Sequence, residues 1–326
     1  MIWESSEWKR HFLMSTWLSK ARPLLFSTLV ALLFAQLAVA EPTPNAILTA
    51  WKDRTEHTNT IKVEWTEMQF QAAGSIDLPP TPEFAQVRFP EEDITCRRQC
   101  SCALDGSRMR FSFKGESLQL YNEGKLEYRE YFSASDGVTS KAFMPLPNKL
   151  RNYPWGVITE EVACVDAATL EAKPILLVYR ATNELLGWPK KPWLVANQNG
   201  DIQYTTDDTR HSVWVDAEHD YLPTRYSIVD LRSNEIKTDL TIEYVKDGST
   251  GTVSPSKWTI RRFEDGSVKH LVEAKVTKCV INEAIPLGEF QIEFPVGTHV
   301  VDMQKPSEAY EVGENGAKIL LRNGSR

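Results

Sequence analysis

Apolar and polar residues change their period near residue 60. Before it, Ala46, Ile47, Ala50, Trp51 and Arg54 recur at the i, i+3, i+4 spacing of one helix face, which predicts an opening helix over 42–59. After it, Ile61, Val63 and Trp65 alternate with Lys62, Glu64 and Thr66, the pattern of a half-buried strand. At the far end of that strand Met68 and Phe70 take the apolar places, which predicts a bulge or a strong twist. Residues 74–92 then hold Pro79, Pro80, Pro82 and Pro90. Proline removes a ladder donor, so this stretch reads as an excursion or flap and not as a central strand.

Strand patterns then recur. Met109, Phe111 and Phe113 alternate with Arg110, Ser112 and Lys114, and Leu118 and Leu120 continue the pattern. Residues 127–133 and 138–144 flank Asp136-Gly137, a strong hairpin signal. Residues 145–155 are broken by three prolines. Residues 169–188 read as a second helix with Pro174 in its first turn, and Ile175, Val178, Tyr179 and Leu185 on one face. From Pro192 onward hairpins dominate: 193–196 with 202–205, 213–215 with 222–229, a strand at 236–244, then 258–263 with 268–280. Phe290, Ile292 and Phe294 alternate once more, and Val300 and Val301 form a short edge. The residues after 302 read as a tail, loosely held from about Gly313.

The sum is about ten antiparallel strands joined by local turns, with one or two helices. The fold class expected is mainly β (α+β): an incomplete antiparallel barrel wrapped around the helices. Twist makes such a sheet curl, and one helix across its concave face would shield a cavity without closing a full barrel.

The N-terminus adds a destination. Lys9, Arg10, Lys20 and Arg22 precede an uncharged, mostly apolar stretch over 24–35, and Ala38-Val39-Ala40 follows with Glu41 next. This is the three-part layout of a secretory signal. An anchor helix is the alternative, but twelve residues at 1.5 Å rise cover about 18 Å, against a hydrocarbon core of roughly 30 Å. The expected organisation is a signal peptide over 1–40, one domain over 41–302 and a tail over 303–326. After cleavage no transmembrane span remains, and the protein is expected in the periplasm or outside the cell. Losing four basic and two acidic residues takes the net charge from −7 to about −9. An acidic surface argues against nucleic acid and anionic membranes as main partners.

Five cysteines remain: Cys96, Cys100, Cys102, Cys164 and Cys279. Their spacing is not a zinc spacing, so one long-range disulfide or none is expected in preference to a metal. No Gly-x-Ser-x-Gly elbow, His-Glu-x-x-His, phosphate loop or dinucleotide glycine cluster occurs. His219, between Glu218 and Asp220, is a metal candidate whose simpler reading is a solvated turn. No catalytic residue, cofactor or metal is implied, and the protein is expected not to be an enzyme.

What remains is aromatic content, with seven tryptophans after residue 40. Trp65, Met68, Phe70, Met109, Phe111, Phe113, Trp214, Tyr226, Ile242, Tyr244, Trp258 and Ile260 all fall on apolar strand faces. As a group they are the candidate lining of a hydrophobic cavity. Burial of an acyl chain there would be worth about 0.8 kcal/mol per CH₂. An ordinary packed core is the alternative for any one of them.

Three stretches carry a resemblance. The signal and opening helix with Ala50-Trp51, followed by the strand over 61–70, resemble the start of the LolA/LolB-type lipoprotein-carrier superfamily. The hairpin over 213–226, whose turn is followed by Leu222-Pro223-Thr224-Arg225, and the segment 290–302, with Pro295-Val296-Gly297-Thr298, resemble exported planctomycete-type relatives. The resemblance implies an incomplete barrel around a helix with a cavity for lipoprotein acyl chains, and no catalytic residues. The chain departs from the carriers in extra segments near 73–100 and 145–197 and in the Cys96-Cys100-Cys102 cluster. The expected function is therefore an exported, non-enzymatic protein that binds lipid or a lipidated protein. The alternative is a cell-envelope sensor or scaffold domain that meets a protein partner through loops 74–92 and 145–160.

Overall fold

The computed structural model describes residues 43–77, 88–119, 124–146, 152–159, 165–181, 194–195, 201–246, 248, 252–304 and 308–321. The signal segment and Cys164 lie outside the described residues.

Helix α1 (Pro44–His57) begins where its sequence dictates. The Thr43 side chain accepts the Ala46 amide at 3.2 Å, proline occupies the first turn, and Arg54 and His57 sit in the last turn near the negative end of the helix. Helix α2 (Val165–Tyr179) starts earlier than the pattern predicts, so Pro174 lies in its interior and not in its first turn. The remainder of the expected span, 182–188, lies outside the described residues.

One large curved sheet takes sixteen of the described strands. Strand β1 (Thr60–Gln71) is its centre. On one side follow β4 (Ile94–Asp105), β5 (Arg108–Gln119), β6 (Lys125–Ser135), β7 (Ser140–Met144) and β8 (Trp155–Thr159), a meander. On the other side β15 (Ser267–Ile281) pairs with β1, and β14 (Val253–Glu264), β13 (Ile236–Lys246), β12 (Leu222–Asp230), β11 (Thr209–Asp216), β10 (Asp201–Thr205) and β9 (Leu194–Val195) run outward. The sheet is thus two meanders joined through β1, with α2 between them in sequence. Strands β2 (Ile76–Asp77) and β3 (Arg88–Phe89) pair apart from it at the base of the expected flap, whose residues 78–87 are outside the description.

Of the strands that the sequence pattern does not announce, β2, β3, β8, β17 (Glu308–Val312) and β18 (Lys318–Leu320) are two to five residues long, too short to display a period. Strand β4 is twelve residues long and escapes the pattern because Cys96, Arg98, Cys100 and Cys102 take its inward positions in place of large apolar residues. Strand β16 (His299–Asp302) pairs with β8 in parallel, a crossover that local turn chemistry does not announce. Strands β17 and β18 continue that edge. Residues 308–320 are therefore part of the sheet, where a loose tail was expected; Tyr310 and Val312 are buried with Val300.

Residues 290–294 also depart from expectation. They form no strand: a 3-10 turn over Leu287–Phe290 leads into an irregular extended segment. Phe290 and Ile292 are still buried, because the segment crosses the face of the sheet instead of pairing with an edge. Its carbonyls are satisfied by side chains: Arg110 Nη1 donates to the Glu289 carbonyl at 2.7 Å and Lys141 Nζ to that of Ile292 at 3.0 Å.

Candidate functional site: the inner trough

The inner face is the one that carries the helices. Inward positions of β1, β4, β5 and β12–β15 form a single cluster with Ile47 and Trp51 of α1 and Ile175, Leu176, Leu177 and Val178 of α2, all at most 1% exposed. Trp65 and Trp258 meet edge-to-face at 5.2 Å, Phe111 lies 6.1 Å from Trp65, and Phe113 stacks on Tyr131 at 5.5 Å. The helices are fastened by polar contacts as well. Trp51 Nε1 donates to the Tyr221 carbonyl at 2.8 Å, Arg54 Nη1 to that of Val178 at 3.3 Å, and Arg180 Nη2 to that of Asn59 at 3.1 Å.

Nine of the twelve candidate residues meet in this cluster: Trp65, Met109, Phe111, Phe113, Tyr226, Ile242, Tyr244, Trp258 and Ile260. The other three do not. Alternation in β1 runs unbroken past Trp65, so Glu67 and Gln69 point inward and Met68 and Phe70 outward; Met68 is 39% exposed. The expected irregularity exists, but it lies in the ladder to β15 at Glu64/Trp65, and the extra residue is Thr277. Trp214 also faces outward, under the Arg225 guanidinium at 4.7 Å, while its neighbour Val213 is in the core.

A polar band closes one end of the trough, and the ladder registers define it. Arg262 pairs with His270, Gln69 with Cys96, Glu67 with Arg98, and Gly115 with both Arg98 and Arg129. Glu67 is 3% exposed; it accepts Trp65 Nε1 at 3.0 Å and Gln69 Nε2 at 2.7 Å, with Arg98 Nη1 at 3.9 Å. Arg98 lies 4.5 Å over the Phe113 ring, so the band joins the aromatic floor directly. Arg129 bonds Glu127 at 2.7 Å.

A second polar set ties α2 to the sheet. Lys173 Nζ donates to Tyr226 Oη at 3.1 Å, and that hydroxyl lies 2.7 Å from His211 Nδ1. Burial, followed by the charge of Arg262, pulls Lys173 down to about 8. Burial, followed by Lys173, pulls His211 down to about 4. Burial and the charges of Arg262 and Arg98 do the same to His270, again to about 4. Sequence reasoning missed these groups. The signal available was Glu67 and Gln69 at odd positions of β1, in step with Trp65.

Other candidate chemistry resolves plainly. Cys96, Cys100, Cys102 and Cys279 form no disulfide with one another. His219 Nδ1 lies 2.7 Å from Asp216 in an exposed turn. Among the described residues no group of three or more His, Cys, Asp or Glu is arranged to hold a metal. No helix among them is long and apolar enough to cross a membrane. Two open cavities, of about 780 and 410 Å³, lie on the opposite, outer face across β14, β15, β1, β4 and β5.

No protein-family profile and no curated protein matches the chain. Among solved structures it is similar to a putative outer membrane lipoprotein-sorting protein domain from Vibrio parahaemolyticus. The two share 13% identity with a TM-score of 0.41, over 76% of this chain and 96% of that one. It is also similar to a LolA superfamily protein from Nitrosomonas europaea, at 11% identity and a TM-score of 0.38, over 77% of this chain and 98% of that one. The likeness concerns the fold.

Proposed function

We propose that this chain is an exported, non-enzymatic binding protein for a hydrophobic ligand, a lipid or the acyl chains of a lipidated protein. The observation that carries the reading is the inner trough. Strands from both meanders contribute Trp65, Phe111, Tyr226 and Trp258 to one apolar floor, and helices form its cover. In the described state α2 fills the trough. An acyl chain takes the place of α2 side chains when that helix lifts, exchanging one apolar cover for another at small net cost in buried area. Among the described residues the directed contacts that must part include Lys173 with Tyr226, Tyr179 with Cys279, the Arg54 and Thr55 bonds to the last turn, and the Arg180 bond to the Asn59 carbonyl. The leader over 1–40 would route the protein out of the cytoplasm.

Native mass spectrometry of protein purified without detergent tests the reading. A co-purified lipid, lost on organic extraction and regained on incubation with a phospholipid, supports it. A ligand-free protein that takes up neither fatty acid nor phospholipid refutes it.

A further inference from the structure

The outer face holds a feature that the trough does not explain. Its open cavity of about 780 Å³ falls within the size range of ligand clefts, about 300–1,000 Å³. We propose that this groove is a docking site for an acidic segment of a partner protein, lying extended across strands β14, β15, β1, β4 and β5.

The ladder registers build the site. Lys257 stands directly opposite Lys275, Lys275 opposite Thr66, Thr66 opposite Gln99, and Gln99 opposite Lys114. Like charges directly opposite one another destabilise a sheet, so the Lys257–Lys275 pair carries a cost, relieved on the Lys257 side by Glu243. Glu273 lines the same groove one row along, opposite Met68. At either end of the row an acid engages a lysine: Glu243 lies 3.3 Å from Lys257 and Glu130 lies 3.9 Å from Lys114. Between these ends, the Lys275 ammonium and the guanidinium of Arg97, one row along, have no partner among the described residues. All four cations are exposed. Beside them Met68 and Tyr128 are 39% and 58% exposed and line the same groove.

The occupant follows from this chemistry. At about 4.8 Å per strand, Lys275 and Lys114 stand roughly 14 Å apart. An extended chain presents alternate carboxylates about 7 Å apart, so two or three would fall along the row. Met68 and Tyr128 offer contact to an apolar side chain in the same segment. A broad anionic surface is disfavoured: the chain carries −7 overall, and a flat bilayer meets the rim of a recessed groove and not its floor. A short segment reaches the local positive potential that a surface cannot. This proposal stands independently of what the trough binds.

The experiment uses the full chain and a fluorescein-labelled peptide of glutamates interrupted by two tryptophans, followed by anisotropy. The account predicts binding that weakens as salt rises, about tenfold weaker in Arg97→Glu/Lys275→Glu. It also predicts binding within about twofold of the parent in Lys52→Glu/Lys246→Glu, which changes net charge equally on exposed positions elsewhere. Circular dichroism and thermal melts establish that both variants fold. Absent binding at low salt, or equal losses in the two variants, overturns the proposal. Tighter binding of phosphatidylglycerol vesicles or a thymidine oligonucleotide than of the peptide also overturns it, making the groove a membrane or general polyanion surface.

Discussion

Glu67 accepts the indole hydrogen of Trp65 at 3.0 Å, two residues along the same strand and on the same inward face. The floor tryptophan is thereby oriented by a carboxylate that is itself 3% exposed and held by Gln69 and Arg98. Removing one partner of a buried charge set leaves the other uncompensated. Glu67→Leu is expected to cost about 3 kcal/mol, and Glu67→Gln, which keeps acceptor and shape, about 1 kcal/mol. Urea unfolding followed by tryptophan fluorescence measures both. Equal losses would show that the charge of Glu67 is immaterial.

Tyr226 is the junction between α2 and the sheet, since its hydroxyl serves both Lys173 and His211. Tyr226→Phe keeps the packing and deletes both bonds, for an expected loss of about 1–3 kcal/mol. Hydrogen exchange should accelerate in α2 before it does in β1. Uniform acceleration throughout the chain would mean that the hydroxyl does not control the helix.

The pH dependence follows from the same groups. His211 and His270 titrate near 4 in the folded chain, below their ordinary value of 6.5. Between those values the unfolded chain takes up protons that the folded chain refuses, so stability falls as pH drops from about 6.5 toward 4. For Lys173 the native state stays less protonated between about 8 and 10.5, so stability rises with pH across that window. His211→Asn/His270→Asn should flatten the acid limb and Lys173→Met the alkaline limb, read as urea midpoints against pH.

Gly115 separates Arg98 from Arg129 on the inward face at φ +145°, and a Cβ there would lie 2.2 Å from the Arg97 carbonyl oxygen. Gly115→Ala should destabilise by about 1–3 kcal/mol. Because that ladder also places Arg97, the variant should weaken peptide docking on the outer face. Full stability in thermal melts would contradict the close approach.

Much of this architecture was legible in the sequence because period-two alternation is a local signal. Trp65, Phe111, Trp258 and Ile260 fall on the trough as their alternation requires. Met68, Phe70 and Trp214 do not, because residue type was read ahead of phase: β1 keeps its phase through Glu67 by satisfying a buried carboxylate with Trp65 and Gln69. Phe290, Ile292 and Phe294 alternate without a ladder, since side chains of Arg110 and Lys141 replace backbone donors. The edge strands β17 and β18 were hidden by their shortness. The row of Lys257, Lys275 and Lys114 could not be read at all, because it joins residues more than 140 positions apart through the register of β1.

The trough reading is tested most directly by tryptophan quenching with a brominated fatty acid. Dibromostearate is expected to quench emission of the purified, delipidated chain where stearate does not. The saturable quench should shrink markedly in Trp258→Phe and stay unchanged in Trp214→Phe, whose tryptophan faces outward. No saturable quench, or a quench lost with Trp214 and retained without Trp258, would contradict an acyl site on the inner face.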